Sequence, residues 1–295
     1  MIQDKIKGVG VALITPFNNY KIDYPALERM VERVIDGGVD YIVALGSTAE
    51  TATLSIEERK EVLRFIIKQT AERVPIVVGM GSNNTYELVE QLRTFDLSGT
   101  VAILSVVPYY NKPSQEGIFR HFMAVAEASP VPVIIYNVPG RTGVNMSADT
   151  TLRLAKASDK IVAIKEACGN IEQMQAILDG RPDNFLVLSG DDGITVELVK
   201  RGGEGVISVA ANAFPEKFCH CVHNAMAGNI AQAEGEMTEL TEPINLLFRE
   251  GNPTGVKGMC ASMGVTKAEV RQPLVEYSDE LKRDIEKAIS TYDLK

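Results

Sequence analysis

The stretch VPVIIYNVPGRTGVNMSADTTLRLAKASDKIVAIK (residues 131–165) contains one complete copy of the pattern that decides the fold. Two nearly continuous apolar runs, 131–136 and 160–165, enclose a segment with helical spacing at 148–156. Apolar runs of this kind predict parallel strands covered on both faces. A helix between two such strands predicts a βα unit that repeats along the sheet.

The same pattern extends outward in both directions until it fills most of the chain. Six further runs share this composition: VALIT (11–15), YIVAL (41–45), PIVVG (75–79), VAILSV (101–106), NFLVL (184–188) and GVISV (205–209). Runs begin every 20 to 35 residues, with helical patterns between them. Eight regular units favour an α/β fold of the (β/α)8 TIM-barrel type over an open doubly wound sheet. We expect the barrel at 1–227 to carry the active site, and a C-terminal helical appendage at 228–295.

Composition excludes several classes of function. The 295 residues carry a net charge of −9 and a pI near 5.0, which argues against nucleic acid as a partner. No apolar run approaches the roughly 18 residues of a membrane span, and the first residues lack a signal-peptide pattern. The four cysteines are too few and too irregularly spaced for a disulfide framework. We therefore expect a cytoplasmic protein without a membrane partner.

Candidate chemistry lies where the apolar runs end, because the loops at the carboxyl ends of barrel strands build the active site. Lys165 ends one run, and burial there would lower its pKa and free an amine that attacks a ketone. Tyr136 ends the preceding run and is a candidate proton shuttle, and Arg141 could hold a carboxylate. Each also has an ordinary structural interpretation: a solvated lysine, a packed tyrosine and an exposed loop arginine.

Two other loops carry hydroxyl and aromatic side chains. Ser47 and Thr48 follow the second run and could present hydroxyls to an anionic substrate, although a plain turn explains them as well. Tyr109 and Tyr110 are bulky loop residues that could equally pack at an interface or in a lid. The string CHCVH (219–223) lacks a second ligand pair with zinc spacing, and Asp191–Asp192 fits a helix cap, so we expect no metal site.

Taken together, these motifs resemble one known family. In order and spacing, six segments resemble the dihydrodipicolinate synthase family of pyruvate-dependent class I aldolases and lyases: GSTAE (46–50), PYYNKPSQEG (108–117), YNVPGRTG (136–143), IKEACGN (164–170), SGDD (189–192) and GVISV (205–209). The resemblance covers essentially the whole chain. It implies a Schiff-base condensation of pyruvate with L-aspartate 4-semialdehyde in lysine and diaminopimelate biosynthesis. No cofactor is implied, because the imine itself is the electron sink.

The resemblance also assigns roles to individual residues. Lys165 matches the lysine that captures pyruvate, and the matching proton-relay positions are Tyr136, Tyr110 and Ser47. Thr48 and Ile207 match positions that contact pyruvate, and Arg141 matches the residue that binds the carboxylate of the semialdehyde. A homotetramer is implied, with Tyr110 reaching into a neighbouring subunit. A lysine effector site at a subunit interface is also implied, with matching positions Asn83, Glu87, Tyr109, Thr51, Ala52, Ile56 and Arg59.

Two departures and two alternatives accompany this interpretation. Ser47 stands where the family usually has Thr, and Ala49 stands where Gly is usual, so a left-handed backbone at Ala49 would be strained. An N-acetylneuraminate lyase or a 2-keto-3-deoxy sugar acid aldolase would share Lys165 and Tyr136. Arg141 and Tyr110 suit a short carboxylated aldehyde better than a polyol. A non-catalytic paralogue of the barrel would not need the complete set of reactive residues.

Overall fold

The computed structural model describes residues 1–294, in which eight parallel strands close into a barrel. Each strand pairs with the next along the chain, and the last pairs with the first. The strands are β1 (Gly8–Ala12), β2 (Tyr41–Ala44), β3 (Ile76–Gly79), β4 (Ala102–Val106), β5 (Val133–Asn137), β6 (Ile161–Glu166), β7 (Leu186–Ser189) and β8 (Gly205–Ser208). The TIM-barrel prediction is confirmed.

A helix follows each strand and covers the outside of the barrel. These helices are α1 (Tyr24–Asp36), α2 (Ile56–Thr70), α3 (Thr85–Thr94), α4 (Gln115–Ala128), α5 (Ala148–Ala157), α6 (Ile171–Gly180), α7 (Thr195–Lys200) and α8 (Pro215–Met226). A two-stranded hairpin, Phe17–Asn18 with Lys21–Ile22, precedes α1. Ser55 and Glu58 form a capping box at the start of α2, because each side chain accepts a hydrogen bond from the other residue's backbone N–H.

The predicted apolar runs all form strands, and the first is shifted. It spans Gly8–Ala12, whereas the apolar pattern predicted 11–15. The strand begins earlier because Gly8 and Gly10 pair in register with Gly205 and Ile207 but add no apolar side chain to the pattern. Gly10 is required there, since a Cβ would lie 2.2 Å from the ring of Tyr41.

Three helices follow the barrel and share its core: α9 (Ile230–Phe248), α10 (Thr254–Ser262) and α11 (Asp279–Thr291). Leu247 of α9 and Ile285 of α11 belong to the same apolar cluster as barrel-side residues such as Leu27. The boundary at 227/228 between a barrel and a C-terminal appendage stays a prediction, since the two parts share one continuous apolar core. Within residues 1–294, no helix is long and apolar enough to cross a membrane.

Candidate active site

Lys165 and Tyr136 are neighbours at the carboxyl-terminal mouth of the barrel. They are paired residues of β6 and β5, and both side chains point into the barrel. Lys165 is only 5% exposed, and its Nζ lies 4.4 Å from the centroid of the Tyr136 ring. Its Cε also packs against Gly190, where a Cβ would come within 3.1 Å. The lysine is therefore enclosed and not solvated.

Burial changes the protonation of both groups. It lowers the pKa of Lys165 to about 8, with nearby Asp192 opposing the shift and Arg141 adding to it. It also raises the pKa of Tyr136 to about 12, so the phenol keeps its proton near neutrality. The ring face attracts an ammonium and so works against desolvation, but desolvation is the larger effect. The site thus combines a lysine that can lose its proton with a tyrosine that can donate one.

The loop after β2 brings two candidate hydroxyls to this mouth. Ser47 and Thr48 lie in the 3-10 turn Ser47–Ala49, with Ser47 exposed and Thr48 buried. Ala49 does not have the left-handed backbone that would strain it, since the left-handed residues are Leu45 (φ 56°) and Glu50 (φ 55°). The left-handed conformations therefore lie before and after the turn that carries the two hydroxyls, and Ala49 does not need one.

Arg141 lies at the entrance in the short helical turn Pro139–Thr142. It is exposed, and its Nη2 donates to the backbone oxygen of Asn252 at 3.2 Å. One hydrogen bond leaves most of the guanidinium donors available to a carboxylate. Its charge is close enough to lower the pKa values of both Tyr136 and Lys165.

A cavity of about 530 Å³ opens at this mouth. Of the predicted catalytic and substrate-binding residues, Ser47, Tyr136 and Arg141 line the cavity, whereas Lys165, Thr48 and Ile207 are not among its lining residues. Ile207 is buried in the same inner apolar cluster as Tyr136 and Leu188. The lining also includes five of the predicted effector residues: Thr51, Ala52, Ile56, Arg59 and Tyr109.

A single chain does not bring every predicted residue into the site. Tyr110 is 86% exposed and is not part of the cavity lining. Asn83 and Glu87 also lie outside the lining. Glu87 is exposed and accepts a hydrogen bond from Ser82 Oγ at 2.8 Å. In the interpretation based on the family resemblance, Tyr110 acts in the site of a neighbouring subunit, and Asn83 and Glu87 lie at a subunit interface.

Sequence reasoning missed Asn252, which precedes α10. Its Nδ2 donates to Thr48 Oγ1 at 2.9 Å, and its side chain lines the cavity. Its Oδ1 is buried without a hydrogen-bond partner among residues 1–294. No local pattern marks Asn252, because it contacts Thr48 from 204 positions away in the chain.

The possible metal ligands are used elsewhere in the fold. His223 pairs with Asp40 at 2.7 Å, while Cys219 and Cys221 are buried in α8. Asp192 accepts hydrogen bonds from the backbone of Val209 and Ala210. Across residues 1–294, no cluster of His, Cys, Asp and Glu is arranged to hold a metal ion.

Comparison with known proteins places the whole chain in one family. Residues 5–292 match the sequence model of the dihydrodipicolinate synthetase family. The chain belongs to this family. A curated family member from Phocaeicola vulgatus, named 4-hydroxy-tetrahydrodipicolinate synthase, is 51% identical over 276 residues, which cover 93% of each chain.

Solved structures of family members share the complete fold. A dihydrodipicolinate synthase from Acinetobacter baumannii, complexed with pyruvate, is 38% identical with a TM-score of 0.95, covering 98% of this chain and 100% of that one. A relative from Cyanidioschyzon merolae with lysine bound is 34% identical with a TM-score of 0.93, covering 98% and 99%. The family and fold predicted from the sequence are confirmed.

Proposed function

We propose that this chain is a lyase, a 4-hydroxy-tetrahydrodipicolinate synthase that condenses pyruvate with L-aspartate 4-semialdehyde. The observation that carries the proposal is Lys165, buried beside Tyr136 at the mouth of the barrel with a pKa near 8. The names of its close relatives support the same activity. The reaction yields 4-hydroxy-tetrahydrodipicolinate and water, and it belongs to lysine and diaminopimelate biosynthesis.

Lys165 would begin the reaction as a nucleophile. Its neutral amine attacks the ketone carbon of pyruvate, and loss of water gives an imine. Loss of a proton from the pyruvate methyl group gives an enamine, whose carbon attacks the aldehyde of the second substrate. The amino group of that substrate then displaces Lys165 from the imine carbon, which closes the ring and frees the enzyme. A pKa near 8 leaves roughly a tenth of the lysine unprotonated at pH 7, compared with less than a thousandth for an ordinary lysine.

The other residues would move protons and hold the substrates. Tyr136 donates to the departing oxygen and recovers the proton later, with Ser47 and Tyr110 completing the relay. Thr48 and Ile207 contact pyruvate, and Thr48 is fixed for this role by its hydrogen bond from Asn252. Arg141 at the entrance holds the carboxylate of the semialdehyde.

The proposal extends to assembly, location and regulation. A homotetramer supplies Tyr110 to a neighbouring site, and the reaction takes place in the cytoplasm. L-Lysine binds at a cleft between subunits, formed by Asn83, Glu87, Tyr109, Thr51, Ala52, Ile56 and Arg59. The lysine-bound relative from Cyanidioschyzon merolae supports such a ligand.

The experiment that tests the activity compares two reactions in the purified enzyme. Condensation of pyruvate with aspartate semialdehyde should proceed, while cleavage of N-acetylneuraminate should be undetectable. Arg141→Ala should raise the KM for the semialdehyde at least tenfold and leave the KM for pyruvate nearly unchanged, a difference of about 1.4 kcal/mol. Arg141→Lys is the matched variant, since it keeps the charge and loses the planar fork. Cleavage of the sugar acid without condensation would overturn the proposal.

A further inference from the structure

The residues that follow Tyr136 and Lys165 in their strands form a second pair behind the first. Asn137 and Glu166 are paired residues of β5 and β6, just as Tyr136 and Lys165 are. Successive side chains of a strand point to opposite faces, so this second pair points away from the barrel interior. Both residues are completely buried between the strands and the helical layer.

A compact hydrogen-bond network joins this pair to the loops that follow. Asn137 Nδ2 donates to both carboxylate oxygens of Glu166, at 2.9 and 3.0 Å, and Asn137 Oδ1 accepts from Met146 N at 3.0 Å. Glu166 also accepts from Cys168 N at 2.9 Å and from Gln173 Nε2 of α6 at 3.1 Å. Two side chains thus join two strands, the loop after each strand and one helix.

An apolar pair at these positions would cost less to bury. Burial raises the pKa of Glu166, and its hydrogen-bond partners are neutral amide groups. Burying a carboxylate and an amide costs desolvation free energy, and their hydrogen bonds must be made to offset it. What the polar pair adds is direction: its hydrogen bonds form at one relative position of the strands, whereas two apolar side chains could pack at several. The network therefore fixes the relative position of β5 and β6.

We propose that Asn137 and Glu166 are positioning residues for the reaction at Lys165. By fixing the register of β5 against β6, they hold the Tyr136 hydroxyl at the height of the Lys165 amine, where protons are exchanged. Misplacement of reacting groups by about 1 Å can cost on the order of a hundredfold in rate. The inference rests on the roles proposed above for Lys165 and Tyr136.

Exchanging the two side-chain types tests this directly. Glu166→Gln places an amide against an amide, and Asn137→Asp places a carboxylate against a carboxylate. Each single variant should lower kcat at least tenfold, with less than a twofold change in the KM for pyruvate, because pyruvate contacts lie elsewhere. The double variant Asn137→Asp/Glu166→Gln restores a donor opposite an acceptor and should recover most of the lost kcat. All rates are normalised to sites that borohydride traps with pyruvate, so misfolded protein is not counted.

The control is a carboxylate that braces the opposite end of the barrel. Glu204 accepts from Arg181 Nη1 at 2.7 Å and from Val187 N at 3.0 Å. Glu204→Gln should lower the melting temperature and leave kcat per trapped site unchanged. If Asn137→Asp yields no folded protein, Asn137→Ser shortens the same side chain without adding charge, and it should show the same loss of kcat.

Two results would overturn the inference. One is a fall in melting temperature in Glu166→Gln with an unchanged kcat per trapped site, which would make the network purely structural. The other is a double variant no more active than the singles. A wild-type enzyme that neither traps pyruvate nor condenses it would instead refute the proposed function, so the two failures are distinguishable.

Discussion

At the scale of single residues, burial prepares Lys165 for its proposed role as the nucleophile. An exposed lysine holds its proton with a pKa near 10.4 and cannot attack a ketone. The walls of the barrel remove water from the ammonium and lower its pKa to about 8, while Asp192 and the Tyr136 ring limit the shift. The proposed reactivity of Lys165 therefore depends on its buried position in the barrel, because lysine as a residue type is not reactive when exposed.

The expected consequence is a pH-dependent capture of pyruvate at Lys165. The rate of borohydride trapping should rise with pH and reach half its maximum near pH 8, because only the unprotonated amine attacks. Lys165→Ala should abolish trapping, and so should Lys165→Arg, since a guanidinium stays protonated. Mass spectrometry of the intact chain measures the product.

Lys160→Ala provides the control for that experiment. Lys160 lies before the other end of the same strand, where its Nζ donates to the backbone oxygen of Ser129 at 2.8 Å. Trapping should therefore be unaffected. Label on another lysine, or a half-maximum near pH 10, would contradict the mechanism.

At the scale of elements, the C-terminal helices hold the loop that follows β2. Glu50, at the end of the turn in that loop, has a left-handed backbone. Its buried carboxylate forms an ion pair with Lys257 of α10 and accepts a hydrogen bond from Arg271 N at 2.8 Å. Arg271 also binds Glu58 at the start of α2. The loop that carries Ser47 and Thr48 is thus fixed by the barrel strand that precedes it and by contacts with α10 and the segment that follows α10.

Breaking this buried pair on one side should be strongly destabilising. Lys257→Met leaves Glu50 buried without its cation, and we expect a loss of about 3–5 kcal/mol in the free energy of unfolding, measured by urea denaturation. Glu50→Gln/Lys257→Met removes both charges and should be more stable than Lys257→Met alone. If the double variant is less stable than Lys257→Met, the loss of stability in Lys257→Met does not come from the unpaired charge of Glu50.

At the scale of the whole molecule, one chain does not bring together all residues of the proposed proton relay. Tyr110 stands 86% exposed on the surface, although it is proposed to relay protons. An exposed tyrosine can act there only if subunits associate and bring it to a neighbouring cavity. Association with at least one neighbouring subunit is therefore a functional requirement of the proposal.

Mixing two inactive variants tests whether Tyr110 acts across subunits. Tyr110→Phe and Lys165→Ala should each be poorly active alone, with kcat lowered at least tenfold. The proposed tetramer consists of two tight dimers whose subunits exchange Tyr110. After unfolding and refolding together, the two variants should recover about a quarter of wild-type activity, because random pairing makes half of the dimers mixed, each with one complete site. Sedimentation should show tetramers throughout. Mixed assemblies without any recovery would remove Tyr110 from the neighbouring site.

Regulation by lysine also depends on the assembly. We expect weak to moderate, partial inhibition that is not competitive with pyruvate, because Lys165, where pyruvate would bind, is not among the residues that line the cavity shared by five of the proposed effector residues. Glu87→Ala should abolish the inhibition by removing the carboxylate that meets the ε-ammonium of the ligand. Glu90→Ala is a matched control on the same helix, since Glu90 pairs with Arg93. An unchanged rate in tens of millimolar lysine would refute the prediction.

The sequence by itself determined the barrel and the reactive groups at its mouth. Strand composition, helical spacing and the capping box at Ser55 are local properties, so each could be recognised without knowing what packs against it. The placement of Tyr136 and Lys165 followed from the same rule, because each ends an apolar run and parallel strands end at one face of the barrel.

Tertiary structure decided what holds those groups in place. Asn252 and Lys257 meet Thr48 and Glu50 across more than 200 residues of chain, and no local pattern predicts such a contact. The start of the first strand was predicted too late because two of its residues are glycines that leave space for neighbouring side chains, Gly10 for the Tyr41 ring and Gly8 for the Asp40 carboxylate, and add nothing to the hydrophobic pattern. Leu45 and Glu50, and not Ala49, have the left-handed backbone, and the buried carboxylate of Glu50 is bound by Lys257 of α10 and by the backbone of Arg271 in the segment that follows. Local sequence encodes elements, whereas contacts between distant segments form only once the chain has closed on itself.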